Sequence, residues 1–249
     1  MRCLWALVFG CAAIWAQPRD LQLFLLIGQS NMAGRGEVEA QDQEPIPHVY
    51  TLNKELAWVP AIDPLHSDKP TAGVGLGRSF AKRLLKEDPA ASIGLIPSAF
   101  GGTSLEEWAP DGKLFLDAVK RTRAALQAGK LRGILWHQGE ADSGKEALAR
   151  SYRERWIKTI EALRKELGAD SIPIVVGELG EFYAGEYAPV VNEQLASIPL
   201  TAPYTAFVSS ARLKAKSDRV HFDSPSLREF GRRYALAFLS LDPAWGATR

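Results

Sequence analysis

A serine hydroxyl, an imidazole and a carboxylate together can split an ester. In this chain Ser30 stands in Gly28-Gln29-Ser30-Asn31-Met32, directly behind an apolar run at 21–27. A sharp strand-to-helix turn there would expose the hydroxyl and aim the first helical N–H groups at a ligand. Met32 occupies the place of the second glycine of G-x-S-x-G, so this is not the α/β-hydrolase elbow. A serine after a strand is also a common helix N-cap. Near the other end, Asp218-Arg219-Val220-His221-Phe222-Asp223 offers His221 as a base. Asp218, three residues earlier, can reach the ring, fix its tautomer and stabilise the imidazolium. The same residues could form a surface ion pair. With Asp223 they could also be read as metal ligands, although no second His or carboxylate cluster at ligand spacing accompanies them.

Acyl transfer also needs donors placed where negative charge develops. Three sources present themselves: the Ser30 backbone N–H, the Gly101-Gly102 backbone, and the Gln138 side-chain amide. Each has a plainer reading, as a helix start, a tight turn and a polar tie between loops. Glu140 could support the loops around the site or replace Asp218 as the partner of His221, and the supporting role is favoured. His137 beside Trp136 reads as a satisfied core histidine, while His48 and His66 lie in a long loop without acidic neighbours of obvious purpose. Trp108 could present a face to a sugar ring or simply pack in the core.

These residues need a scaffold that brings distant segments to one rim. Near-continuous apolar runs at 21–27, 92–96, 133–136, 173–176 and 205–208 have the character of strands buried on both faces. Stretches of helical period at 76–86, 114–128, 147–167 and 226–239 alternate with them, and a shorter helix is expected at 190–196 between Pro189 and Pro199. The clearest has Tyr152, Trp156, Ile160, Leu163 and Leu167 on one stripe. The pattern predicts an α/β domain with a mainly parallel five-stranded sheet, whose ligands bind beyond the carboxyl ends of the strands. Ser30, Gly101 and Gln138 all follow such ends. Residues 33–75 form an unusually long, proline-rich connection, either a substrate wall or a cover for a helix face, and 49–52 within it can add a short hairpin strand.

Composition narrows the classes further. With 30 Lys+Arg against 29 Asp+Glu, the formal charge of +1 gives no reason to expect nucleic acid or an anionic membrane as partner. Residues 1–16 read as a signal peptide: Arg2, an apolar run too short for a span, then Ala16 at a possible cleavage point. Export to the periplasm or outside the cell is the expectation, with 17–249 as one domain and no membrane association unless Cys11 is lipidated. Cys3 and Cys11 are the only cysteines, so the mature chain would hold no thiolate nucleophile, disulfide or Cys-based metal site.

Four segments together resemble the SGNH/GDSL hydrolase superfamily, specifically its branch with sialate O-acetylesterases and family 6 acetylxylan esterases. They are Ile27 to Gly34, Gly101 to Trp108, Trp136 to Asp142, and Asp218 to Phe222, in that order along nearly the whole mature chain. The resemblance implies a flavodoxin-like three-layer α/β/α sandwich and removal of O-acetyl groups from carbohydrates without a cofactor. It implies Ser30 as nucleophile, His221 as base and Asp218 as third member. Where the wider superfamily has an asparagine oxyanion donor, this chain has Gln138, as the branch does. Two other readings remain at this stage: the same chemistry on other acyl esters or thioesters, and a non-catalytic carbohydrate-binding protein on the same scaffold.

Overall fold

The computed structural model describes residues 17–246; the expected signal peptide, with Cys3, Cys11 and the cleavage point at Ala16, lies outside them. Seven strands form one sheet in the order β3-β2-β4-β1-β5-β6-β7. They are β1 (Leu21–Gly28), β2 (Val49–Leu52), β3 (Trp58–Pro60), β4 (Ile93–Pro97), β5 (Gly129–His137), β6 (Ile174–Gly177) and β7 (Thr205–Val208). All neighbours run parallel except the β2–β3 hairpin. The expected five strands are therefore present, and the long connection adds two more at one edge. Four-residue β2 is the short hairpin strand expected at 49–52, while the three-residue outer strand β3, ended by Pro60, is too short to display a pattern.

The helices are α1 (Ser30–Ala33), α2 (Ala40–Gln43), α3 (Gly77–Glu87), α4 (Lys113–Ala125), α5 (Glu146–Arg150), α6 (Tyr152–Leu167), α7 (Ala188–Ser197) and α8 (Ser224–Leu241). The single helix expected over 147–167 is broken at Ser151. Its hydroxyl bonds back to the Ala147 carbonyl at 2.7 Å, offering the backbone an alternative to continuing the helix. The α4 helix stops at Ala125 rather than 128, because the chain must turn at once into β5.

Alternation along β1 builds the two layers. Leu21, Leu23, Leu25 and Ile27 face a core shared with α4, α6 and α7, while Phe24 and Leu26 face one shared with α3 and α8. Edge-to-face aromatic pairs mark both. Trp136 meets Trp108 at 5.8 Å and Trp156 at 6.2 Å on one side, and Phe24 meets Phe80 at 4.8 Å on the other. The α6 stripe of Tyr152, Trp156, Ile160 and Leu163 is buried against the sheet as its spacing predicts.

Because β1 lies centrally between β4 and β5, the segments following these three strands meet over the middle of the sheet. Gly28 makes the approach possible. Its φ is +132°, and a Cβ there would stand 2.0 Å from the His137 carbonyl oxygen. No other residue could end β1 so close to β5 and still turn into α1.

Candidate active site

Ser30 opens the single turn of α1 and is nearly buried. Its Oγ lies 3.0 Å from His221 Nε2, and His221 Nδ1 lies 2.8 Å from Asp218 Oδ2. The three groups thus form one hydrogen-bonded chain across 191 residues of sequence. With the Ser30 hydroxyl donating to Nε2, the neutral ring carries its proton on Nδ1 and donates to Asp218. The Asp218 turn is locally fixed: its Oδ1 accepts the backbone N–H groups of Val220 and His221, both at 2.9 Å. Partial burial alone would raise this carboxyl. Hydrogen bonds from the His221 ring and from those two backbone N–H groups outweigh it and hold the pKa at about 2.

Asn31, which sequence reasoning left unassigned, joins the two ends of the chain. Its Oδ1 accepts the Phe222 N–H at 3.1 Å, and its Nδ2 donates to the Val220 carbonyl at 3.2 Å. The bonds fall on the residues either side of His221. The same Nδ2 donates to Glu140 Oε1 at 2.5 Å. Burial would raise Glu140, but its contacts with His137 and with Asn31 outweigh this and leave its pKa lowered, so it stays an acceptor for the Asn31 amide. Glu140 sits beside Asn31 and His137 and not beside His221, whose Nδ1 is held by Asp218. His137 is buried in the core as expected, its Nδ1 3.2 Å from the Tyr234 hydroxyl, but it is not fully satisfied: its Nε2, 3.6 Å from Glu140 Oε1, has no hydrogen-bond partner among the described residues. The adjacency of Asn31 to Ser30 was a visible signal, but its partners 189 residues away were not.

The donors sort themselves by what they already bond. Gly101 N–H donates to Asp68 Oδ2 at 2.8 Å, so it is taken. The Ser30 and Gly102 N–H groups have no protein acceptor among the described residues, and Gly102, at φ +82°, lines the same cleft as Ser30 and His221. Gln29 lines it as well. Its Oε1 accepts the Ala141 N–H at 3.3 Å, which leaves its NH₂ end free of protein acceptors. The cleft has a volume of about 370 Å³. It brings a hydroxyl hydrogen-bonded to an imidazole together with uncommitted donors, an arrangement that can carry out acyl transfer.

Residues 20–240 match the family described as carbohydrate esterase, sialic acid-specific acetylesterase. The chain belongs to this family. A probable carbohydrate esterase of Arabidopsis thaliana is 34% identical over 239 residues, 88% of this chain and 90% of that relative. Its X-ray structure matches with a TM-score of 0.83 at 32% identity, over 89% of this chain and 98% of that one. The fold is shared more widely. NanS matches with a TM-score of 0.74 at 19% identity over 92% and 99% of the two chains. XAC1771 of Xanthomonas citri, described as a carbohydrate acetylesterase, matches with 0.68 at 22% identity over 88% of this chain and 56% of its own. Like the rest of its family, the protein is a carboxylic ester hydrolase.

Several expectations about this esterase need correction. Gln138 does not reach the cleft. Its Nε2 donates to Asp142 Oδ2 at 2.7 Å and the Thr103 carbonyl at 3.1 Å, while its Oε1 accepts from the Tyr152 hydroxyl at 2.8 Å. Both ends of the amide are satisfied in the interior, where it ties loops together. Gly101 is excluded as a free oxyanion donor by its bond to Asp68, a residue that the long connection conceals. Trp108 is 1% exposed, packed edge-on against Trp136 with its Nε1 on Thr103 Oγ1, so it is core and not a substrate wall. Asp223 caps α8 by accepting the Ser226 N–H at 2.8 Å, which removes it from any ligand set with His221.

Two predictions follow from the hydrogen bonds around His221. Asn31→Ala should lower kcat about 10²-fold with a much smaller change in KM, measured with a chromogenic acetate ester, because it loosens the base without touching substrate. Asp218→Asn should lower kcat by roughly 10²–10⁴-fold. Since the folded pKa of Asp218, about 2, lies below the ordinary 3.8, its stabilising contribution is complete above that value and lost as pH falls towards 2. Urea titrations between those limits should show a shallower pH dependence for Asp218→Asn than for wild type; parallel curves would contradict the assignment.

Proposed function

We propose that the protein is an exported serine esterase that removes O-acetyl groups from carbohydrates through an acetyl-Ser30 intermediate. The observation carrying this reading is the Ser30–His221–Asp218 chain, at 3.0 and 2.8 Å, beside uncommitted N–H donors. Ser30 Oγ attacks the acetyl carbonyl as its proton passes to His221 Nε2. The Ser30 and Gly102 N–H groups, with the Gln29 amide, receive the oxyanion. Collapse of the tetrahedral species breaks the bond to the sugar oxygen, which takes the proton from His221. A water then gives its proton to the same nitrogen and attacks the acetyl group, releasing acetate and restoring Ser30. Asp218 stays ionised throughout and stabilises the imidazolium.

The acetyl preference is supported by Tyr183, which lines the cleft with its hydroxyl bonded to the Glu140 carbonyl at 3.1 Å. A ring anchored there limits room for a long acyl chain. The carbohydrate preference rests on the family and on the Arabidopsis relative's description.

Ser30→Ala should reduce acetate release from acetylated sugars by roughly 10³-fold or more, and wild-type enzyme stopped early should carry the mass of one added acetyl group. Wild-type turnover by the variant overturns the mechanism. Activity rising from acetate to octanoate esters would instead favour a lipid esterase or thioesterase, and sugar binding without acetate release a binding protein. Export is tested by mass spectrometry of the protein made in a secreting host. A mature start at Gln17 is expected, an acylated Cys11 would make it a lipoprotein, and an intact Met1 would overturn export.

A further inference from the structure

Of the two glycines beside the cleft, Gly102 carries the uncommitted N–H group and Gly101 does not. Successive glycines leave the backbone unusually free, so a donor carried by such a pair has no direction of its own. Here the peptide unit just before it is held at both ends. Its carbonyl, that of Phe100, accepts from the Thr103 hydroxyl at 2.8 Å, and its N–H, that of Gly101, donates to Asp68 Oδ2 at 2.8 Å. The next peptide unit bears the Gly102 N–H, so its direction is set from this fixed plane.

Asp68 can hold that plane because Arg35 holds Asp68. The buried guanidinium donates to Asp68 Oδ2 at 2.6 Å and Oδ1 at 3.3 Å, and to the Gly34 carbonyl at 2.7 Å. The Gly34 N–H in turn donates to the Ser30 carbonyl at 2.9 Å. One run of hydrogen bonds therefore links the turn that bears Ser30 to the loop that bears Gly102, and with them the two backbone donors of the oxyanion hole. Arg35 also cancels the Asp68 charge, which one residue from the donor would otherwise oppose a developing oxyanion. Space explains why residue 101 is a glycine although its N–H is not free: a Cβ there would stand 2.3 Å from Arg35 Nη2.

We propose that Asp68, held by Arg35, is the positioning residue of the oxyanion hole: by clamping Gly101 it sets the Gly102 N–H at a fixed distance from the Ser30 N–H before any substrate arrives. The proposal rests on the esterase reading and deepens it. Asp68 touches no substrate and acts only through the donor it aims.

Steady-state kinetics with a chromogenic acetate ester test it. Asp68→Ala should lower kcat about 10²-fold with KM within about threefold of wild type. Inhibition by methylboronic acid, whose tetrahedral adduct on Ser30 puts an oxygen in the same hole, should weaken by about the same factor. Asp68→Asn keeps an oxygen for the Gly101 N–H and should restore kcat to within about tenfold of wild type. Because Asp68→Ala strands the Arg35 charge in the interior, Arg35→Met/Asp68→Ala, which strands none, is measured beside it with the same loss expected, and thermal melting shows which variants are folded. The proposal is overturned if the folded alanine variants keep kcat within about threefold of wild type, if methylboronic acid inhibits them as it does wild type, or if Asp68→Asn is as slow as they are. A wild type without ester hydrolysis would overturn the esterase reading, and this proposal with it.

Discussion

The side-chain amide of Asn31 is the constraint on which the site depends. The Ser30 hydroxyl near the start of the sheet and the His221 ring on the loop before the last helix belong to opposite ends of the chain, and nothing local holds them together. Asn31 grips the residues on both sides of His221, through the Val220 carbonyl and the Phe222 N–H, while its neighbour Ser30 meets the ring between them. A bidentate grip fixes direction as well as distance, which a single hydrogen bond would not. Glu140 in turn prevents the amide from flipping, because a carboxylate can only accept and so requires the NH₂ end to face it.

Behind this clamp lies a buried lattice of charge-assisted hydrogen bonds whose purpose is position. Asp142 is fully buried, yet it accepts the Leu105 N–H and the Gln138 amide on one oxygen and Arg155 on the other, all at 2.7–2.8 Å. Asp68 does the same for Gly101 and Arg35. Such pairs add little net stability, since desolvation offsets their attraction, but stripping away one partner costs about 3–5 kcal/mol. They therefore penalise every arrangement of the loops except one. In acyl transfer, where donors must await an oxyanion that does not yet exist, that is the property required.

Much of this was legible in the sequence, and the failures have a common cause. Parallel strands buried on both faces leave continuous apolar runs, so β1, β4, β5, β6 and β7 were readable, and with them the positions just beyond their ends where Ser30 and Gly102 stand. Residues 218–221 were readable because the carboxylate and imidazole interact within one turn. What sequence does not carry is which way a polar side chain points. Gln138 and Gln29 are the same residue type at equivalent strand ends, but Gln138 turns inward to Asp142 and Tyr152 while Gln29 lines the cleft. Trp108, readable either as a face for a sugar ring or as core, packs in the core. β2 was readable as a short hairpin strand at 49–52, whereas its three-residue partner β3, at the sheet edge, was too short to show a pattern.

The long connection between β1 and α3 covers a helix face and also lines part of the cleft. Arg78, at the start of α3, sends its guanidinium to the backbone carbonyls of Asp42, Glu44 and Ala61, and Gly36 bridges to Val74, so the excursion is fastened onto the helix it covers. One buried cation saturating several carbonyls does for an irregular segment what a ladder does for a strand. The consequence reaches the site. Because the connection is pinned, Arg35, Lys69 and Thr71 are delivered to the wall of the cleft. A binding surface already in place spares the entropy of ordering, which matters most for a sugar, whose hydroxyls give up good hydrogen bonds to water and gain only their small excess in the protein.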